Sequence, residues 1–227
     1  DGTYKTLPDP VFADNMINPM LDEVSGVQID EIFTDRIFGS TYLDWEIIQG
    51  LSFRSNLGVD IELRKEGEFY ASNSLKGLSA SLQNEEYMTH EDNSSYTWNN
   101  ILTYQKEIGA HNFHIMAGSE SFAWKWTEYQ MVGYGQPLTS TQYYDFNGIL
   151  QDGKDYESDV KERQLLSFFG RVNYSLLDRY LIQATLRYDG ASVLAEGNKW
   201  ASFPSVSAGW RISNEDFMQS VEVISNM

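Results

Sequence analysis

Residues 51–64, LSFRSNLGVDIELR, alternate in hydrophobicity along their whole length. Leu51, Phe53, Leu57, Val59, Ile61 and Leu63 share one parity, with Ser55 the polar exception. Ser52, Arg54, Asn56, Asp60, Glu62 and Arg64 share the other, with Gly58. A strand points successive side chains to opposite faces, so this segment is a ribbon with one apolar and one charged surface. The alternation lasts about 14 residues, whereas strands of soluble proteins centre on about 5–6 and a tilted membrane-spanning strand needs about 9–11.

The pattern recurs. Segment 40–48 places Thr41, Leu43, Trp45 and Ile47 opposite Tyr42, Asp44 and Glu46, and a Gly-containing turn at 48–50 leads into 51–64 as a hairpin. Alternation also marks 95–106, where Asn100 interrupts an apolar face of Tyr96, Trp98, Leu102 and Tyr104, and then 112–121, 163–175, 180–190 and 203–213. Seven strands are therefore expected, three hairpins and one more, with only a weak helical signal over 214–224. Three connections are short: 48–50, about 107–111 and 176–179. Those between hairpins are long, roughly 65–94, 125–162 and 190–202, and they alternate with the short ones. All short turns thus fall at one end of the sheet and all long loops at the other, as in outer-membrane barrels.

Aromatic placement points the same way. Trp45, Tyr104, Tyr174 and Tyr180 lie on the apolar parity near short turns, while Tyr96 and Tyr188 lie eight residues farther along their strands. Eight residues span about 26 Å, or roughly 20 Å of height at a tilt near 40°, close to the apolar band between two aromatic girdles. The polar parity, with Arg54, Asp60, Glu62, Arg171, Arg187, Asp189 and Arg211, then faces a lumen. The alternative is a soluble carbohydrate-binding β-sandwich, in which the apolar faces stack into a core. A net charge of -17 makes a nucleic-acid partner unfavourable, and the absence of cysteine excludes a disulfide framework. No run of 18 apolar residues provides a transmembrane helix, and no signal peptide is visible at the polar opening DGTYKTLPDP.

Two stretches carry a more specific signal: LLSFFGRVNYSLLDRYLIQATLRYDGAS and, after it, KWASFPSVSAGWRISNEDFM. Phe168–Ser175, Asp178–Tyr180, Arg187–Ser192 and Trp200–Ser213 resemble ordered motifs of the SusC/RagA family of TonB-dependent outer-membrane transporters, and the likeness extends over about 37–218. The resemblance implies an all-β fold: an antiparallel transmembrane β-barrel segment with short periplasmic turns and long extracellular loops. It implies that 1–227 form part of a single barrel domain whose plug and other strands lie elsewhere, since such barrels have about 22 strands. It further implies uptake of oligosaccharides or oligopeptides, contact with the TonB complex through an N-terminal part, a SusD-like surface lipoprotein as a lid, and a setting in outer-membrane lipid. A passive porin-like or adhesive barrel is the alternative within the membrane. An isolated seven-strand piece is expected to aggregate, its edges being unpaired.

Candidate sites are few. Cargo contacts are expected among the lumen residues Arg54, Asp60, Glu62, Arg171, Arg187 and Asp189, and among the loop aromatics Tyr129, Tyr134, Tyr143, Tyr144 and Phe146, which are equally read as loop packing. No cofactor or metal is expected: His111 and His114 point to opposite faces, and DGKDYESD at 152–159 lacks EF-hand spacing and reads as a solvated acidic loop. GYGQP at 133–137 is not a phosphate loop, and no G-x-S-x-G motif or placed carboxylate pair suggests catalysis.

Overall fold

The computed structural model describes residues 19–79 and 83–218. Seven strands form one sheet in sequence order: β1 (Gln28–Ile48), β2 (Leu51–Tyr70), β3 (Glu85–Ile108), β4 (His111–Tyr134), β5 (Lys154–Leu176), β6 (Tyr180–Ala191) and β7 (Trp200–Trp210). A short helix α1 (Leu75–Ser79) precedes β3, and the end of the described chain makes 3-10 turns at Ile212–Asn214 and Asp216–Met218. The opening segment and the later part of the helical signal over 214–224 lie outside the described residues.

All seven expected strands are present, but five are much longer than their alternation suggests, with 20 to 24 residues in β1 to β5. About half of each expected loop, 65–94 and 125–162, is strand, and the connections proper shrink to 71–84 and 135–153. The acidic stretch 152–159 is likewise mostly the start of β5, and Tyr129 and Tyr134 are strand residues of β4 rather than loop residues. The cause is physical. Alternation is imposed only where one face must be apolar; with water on both faces, backbone pairing continues without a period-2 pattern.

The tight turns have the backbone that hairpins require. Gly50 takes φ 83°, and Leu177 and Asp178 take φ 57° and 54°, the left-handed pair of a type I′ turn. Registers are direct. Phe168 pairs with Tyr188, Val172 with Ala184, Tyr188 with Ser202 and Tyr180 with Trp210.

The chain divides into two compact units. The first comprises Asp1–Arg36, Ile61–Asn93 and Lys125–Lys161; the second comprises Ile37–Asp60, Ser94–Trp124 and Glu162–Met227. The buried hydrophobic residues among those described are Leu21, Val27, Phe69, Ala71, Tyr143 and Ile149, all in the first unit. There Tyr143, from the 135–153 connection, packs with Val27, Phe69 and Ala71, and partly buried Ile29 and Met88 lie against them. Its ring occupies the space over Gly67, where an added Cβ would lie 2.1 Å from a ring carbon.

The second unit is built differently. Leu57, Leu102, Phe168, Val172, Ile182 and Leu186 are all exposed, and among the described residues no second sheet covers them. A sandwich would bury these side chains, so this apolar face suits a hydrocarbon solvent. Aromatic clusters mark both ends of the band. His111, Phe113 and Tyr174 cluster near the turns, with Phe113 and Tyr174 centroids 5.1 Å apart. Trp200 stacks on Tyr188 at 4.8 Å and near Phe168 at 6.4 Å at the other end, covering Gly190, its register partner.

The two polar exceptions on the apolar parity find each other. The Ser55 hydroxyl donates to Asn100 Oδ1 at 2.9 Å and accepts the Trp98 indole N–H at 3.0 Å. In lipid an unpaired polar side chain is costly, so two misfit residues on neighbouring strands satisfy one another.

Candidate functional site

The polar face of the second unit centres on Arg187. In the β5–β6 register Arg187 faces Phe169, and Ser167 faces Asp189. Strand alternation puts all four on one face, so a long Arg side chain reaches its diagonal neighbours. Its Nη2 donates to Ser167 Oγ at 2.8 Å and to Glu120 Oε1 at 3.0 Å, its Nε donates to Asp189 Oδ2 at 3.0 Å, and its guanidinium lies 5.5 Å from the Phe169 ring centroid. Three strands thus converge on one cation held by two carboxylates. Arg163, on the same face, lies 5.7 Å from the Trp124 ring. Such a surface offers hydrogen-bonding groups at fixed positions beside aromatic faces, a chemistry suited to polar cargo carrying apolar patches.

The remaining lumen candidates disperse. Arg54 forms a two-pronged bond to Asp44, with Nη2 to Oδ2 at 2.7 Å, and covers Tyr42. Glu62 lies 3.8 Å from Arg36, Asp60 has a partner of its own, and Arg171 is solvent-exposed. Of the six, Arg187 and Asp189 share a cluster. Sequence reasoning missed Glu120, Phe169 and Trp124. The signal was available: parity continued past 121 puts Phe122 and Trp124 with His114 on the polar side.

In the first unit a second polar cluster joins β2 to β5. Arg64 binds Glu66 at 2.6 Å and also Glu91, the Trp126 indole donates to Glu91 at 3.3 Å, and Lys161 lies 4.2 Å over the Trp126 ring. Among the aromatic candidates, Tyr129 and Tyr134 stand exposed on β4. Tyr143 is buried and donates to Glu31, and Tyr144 lies tilted against it, with ring centroids 4.2 Å apart, and donates to the same carboxylate at 3.2 Å. Tyr143 therefore packs the connection down; Tyr144 is mostly exposed. Burial and the Glu31 carboxylate push the Tyr143 phenol strongly upward. Phe146 lies in the same connection.

At the turn end, the residues that carry the sequence resemblance bind one another. Arg179 donates to Glu215 at 2.9 Å and to Asp216 at 2.6 Å. The Tyr180 hydroxyl and the Trp210 indole donate to the other Glu215 oxygen at 2.8 and 3.0 Å. Arg211 pairs with Asp178, and Asn214 donates to the Asp178 carbonyl at 2.9 Å. Arg211, expected in the lumen, instead caps the turn. The indole and phenol hydrogen bonds, assisted by Arg179, hold the Glu215 carboxyl below the usual range. Among the described residues, no group of three or more His, Cys, Asp or Glu side chains could hold a metal ion.

Comparison with known proteins agrees with this architecture. The family model "TonB dependent receptor-like, beta-barrel" matches residues 14–219. TonB-dependent receptor P26 of Formosa agariphila is 30% identical over all of this chain, which covers 23% of that protein. TonB-dependent receptor SusC of Bacteroides thetaiotaomicron is 35% identical over 60% of the chain, covering 14% of its own length. Among solved structures, the RagAB peptide transporter superposes with a TM-score of 0.75 at 21% identity over 90% of the chain and 22% of its own, a likeness of fold. The chain thus spans under a quarter of the length of these relatives.

Proposed function

Because the chain belongs to the TonB-dependent receptor β-barrel family, we propose that it supplies barrel strands of an outer-membrane importer in a Gram-negative bacterium, which takes up oligosaccharides or oligopeptides with energy delivered through TonB. The observation that carries this reading is the opposed character of the second unit's faces. One is exposed, apolar and bordered by aromatic clusters; the other holds the Arg187–Glu120–Asp189 network beside Phe169. The first suits lipid and the second a polar cargo path. Arg187, Asp189 and Glu120 are the proposed cargo-facing residues, with Tyr129, Tyr134 and Tyr144 as exposed aromatic contacts. A SusD-type lipoprotein is the proposed lid, and the TonB contact belongs to another part of the protein.

The test uses the full-length protein in its own cells. Uptake of labelled oligosaccharides and oligopeptides should stop when the gene is deleted and when TonB is lost, and a surface lipoprotein should co-purify with the protein. Arg187→Ala should cut uptake at unchanged surface level. Uptake that persists without TonB, together with open-channel conductance in planar bilayers, would replace this reading by a passive pore.

A further inference from the structure

Glu86 is the most anomalous side chain in the first unit. It is 1% exposed, and neither carboxylate oxygen has a hydrogen-bond partner among the described residues. It sits near the start of β3, ten residues of continuous strand before the girdle residue Tyr96, about 33 Å along the chain and so outside the apolar band. Its cover comes from the 135–153 connection. A Cβ placed on Gly133 would lie 2.3 Å from Ile149 Cδ1 and 3.0 Å from Glu86 Oε1, so Ile149 and the carboxyl press against the same bare stretch of β4. Ile149 is 4% exposed, and Tyr143 anchors the same connection in the Phe69 cluster.

Among the described residues, the groups around Glu86 offer it no counter-charge. Asp145, on the connection itself, repels it. Glu31 of β1 is occupied by the Tyr143 and Tyr144 hydroxyls. Alternation sends the flanking Glu85 and Tyr87 to the other side of the strand, where they bond each other at 2.8 Å. Lys76 of α1 follows them there, 3.6 Å from Glu85 and 4.0 Å over the Tyr87 ring. Gly133 brings no charge. A buried carboxylate without cation or donor is unfavourable, whereas the neutral acid is tolerated.

We propose that the 135–153 connection is a proton-controlled latch: it stays seated over Glu86 while that carboxyl is protonated and lifts when the carboxyl ionises. Burial first, and Asp145 second, push Glu86 up from 4.5 to about 7 in the seated state. A raised carboxyl stabilises the seated state fully below the ordinary value, and that stabilisation falls as pH climbs between the two values. A rise from 4.5 to about 7 sets a total change of roughly 300-fold in the open-to-seated ratio, about 70-fold of it between pH 5 and 8.

The experiment is hydrogen exchange on the full-length protein in detergent, following peptides across 139–150 from pH 5 to 8 after correction for intrinsic rates. Protection should fall about 70-fold in the wild type and stay level in Glu86→Gln, whose amide cannot ionise. Asp145→Asn, which keeps Glu86 and removes the repelling charge, should make the loss of protection smaller and complete it at lower pH, and it keeps the test decisive where Glu86→Gln does not assemble. Level protection in the wild type, or unchanged pH dependence in Asp145→Asn, overturns the latch. So does protection at pH 8 that chelator removes and calcium restores, which would make a cation the partner of Glu86.

Discussion

Gly67→Ala should unseat the 135–153 connection. The added methyl would sit 2.1 to 2.4 Å from three atoms of the Tyr143 ring, where ordinary contact needs about 3.5–4.0 Å. The ring must therefore retreat by more than an ångström, and a close-packed site accommodates that poorly. Tyr143 is 5% exposed, and an aromatic side chain buries about 150–250 Å², worth roughly 4–6 kcal/mol at 25 cal/mol per Å². Part of that area stays covered in the lifted connection, which leaves about 2–4 kcal/mol. The population of lifted connection should rise roughly 30- to 800-fold, since 1.4 kcal/mol is about a factor of ten. Thermolysin cleavage within 135–153 of the full-length protein reads this directly, because cleavage of a fast-opening segment tracks its open population. Tyr143→Ala should raise cleavage to a similar degree, and the double variant should add little, both changes removing one interaction. Unchanged cleavage in Gly67→Ala, or full additivity in the double variant, would refute the seat.

Three further outcomes follow from the second unit. Val172→Arg, on the apolar face opposite Ala184 and midway between the girdles, should cost about 2–4 kcal/mol when the full-length protein folds into lipid vesicles; a cost near zero would mean that this face does not meet lipid. Asn100→Ala should cost about 1 kcal/mol by stranding the Ser55 hydroxyl, and Ser55→Ala should cost more, since it strands the Trp98 indole N–H as well as the Asn100 amide oxygen, both measured by urea titration in vesicles. Glu215 lies below the ordinary value of 4.5 in the folded protein, so its clamp is intact above that value and is lost as pH falls through the depressed one. Exchange of the Arg211 amide, which donates to the Arg179 carbonyl at 2.7 Å, should accelerate below pH 4.5 in the wild type, and in Glu215→Gln it should be fast throughout.

What was legible in the sequence divides at the edge of the apolar band. Within the band, one face of each strand must be apolar, and the parities of Leu57, Phe168 and Leu186 could be read from spacing alone. Beyond it, β3 carries Glu85, Glu86 and Tyr87 in succession, where local packing rather than an apolar face sets each side chain's surroundings and leaves no period-2 rule to follow. The lumen candidates were read by parity, which fixes a face and not a partner. Parity therefore placed Arg187 and Asp189 correctly on one side, but it could not show that Glu120, two strands away, completes their cluster. Ser55 and Asn100 looked like two separate flaws, and only pairing across β2 and β3 makes them one bond. The seat of Tyr143 depends on Gly67, 76 residues earlier in the chain, a relation that no local pattern encodes.

The Arg179–Glu215 clamp has a consequence for assembly. The Arg179 and Tyr180 bonds to Glu215 join the β5–β6 turn to the exit of β7, where Trp210 holds the same carboxyl, and the two sides first meet only when β6 and β7 align with Tyr180 across from Trp210. A slip of one residue would send Trp210 to the opposite face and separate its indole from Glu215. The clamp thus works as a checksum on strand alignment, closing only over the correct count and leaving a misthreaded hairpin with stranded charges at its rim.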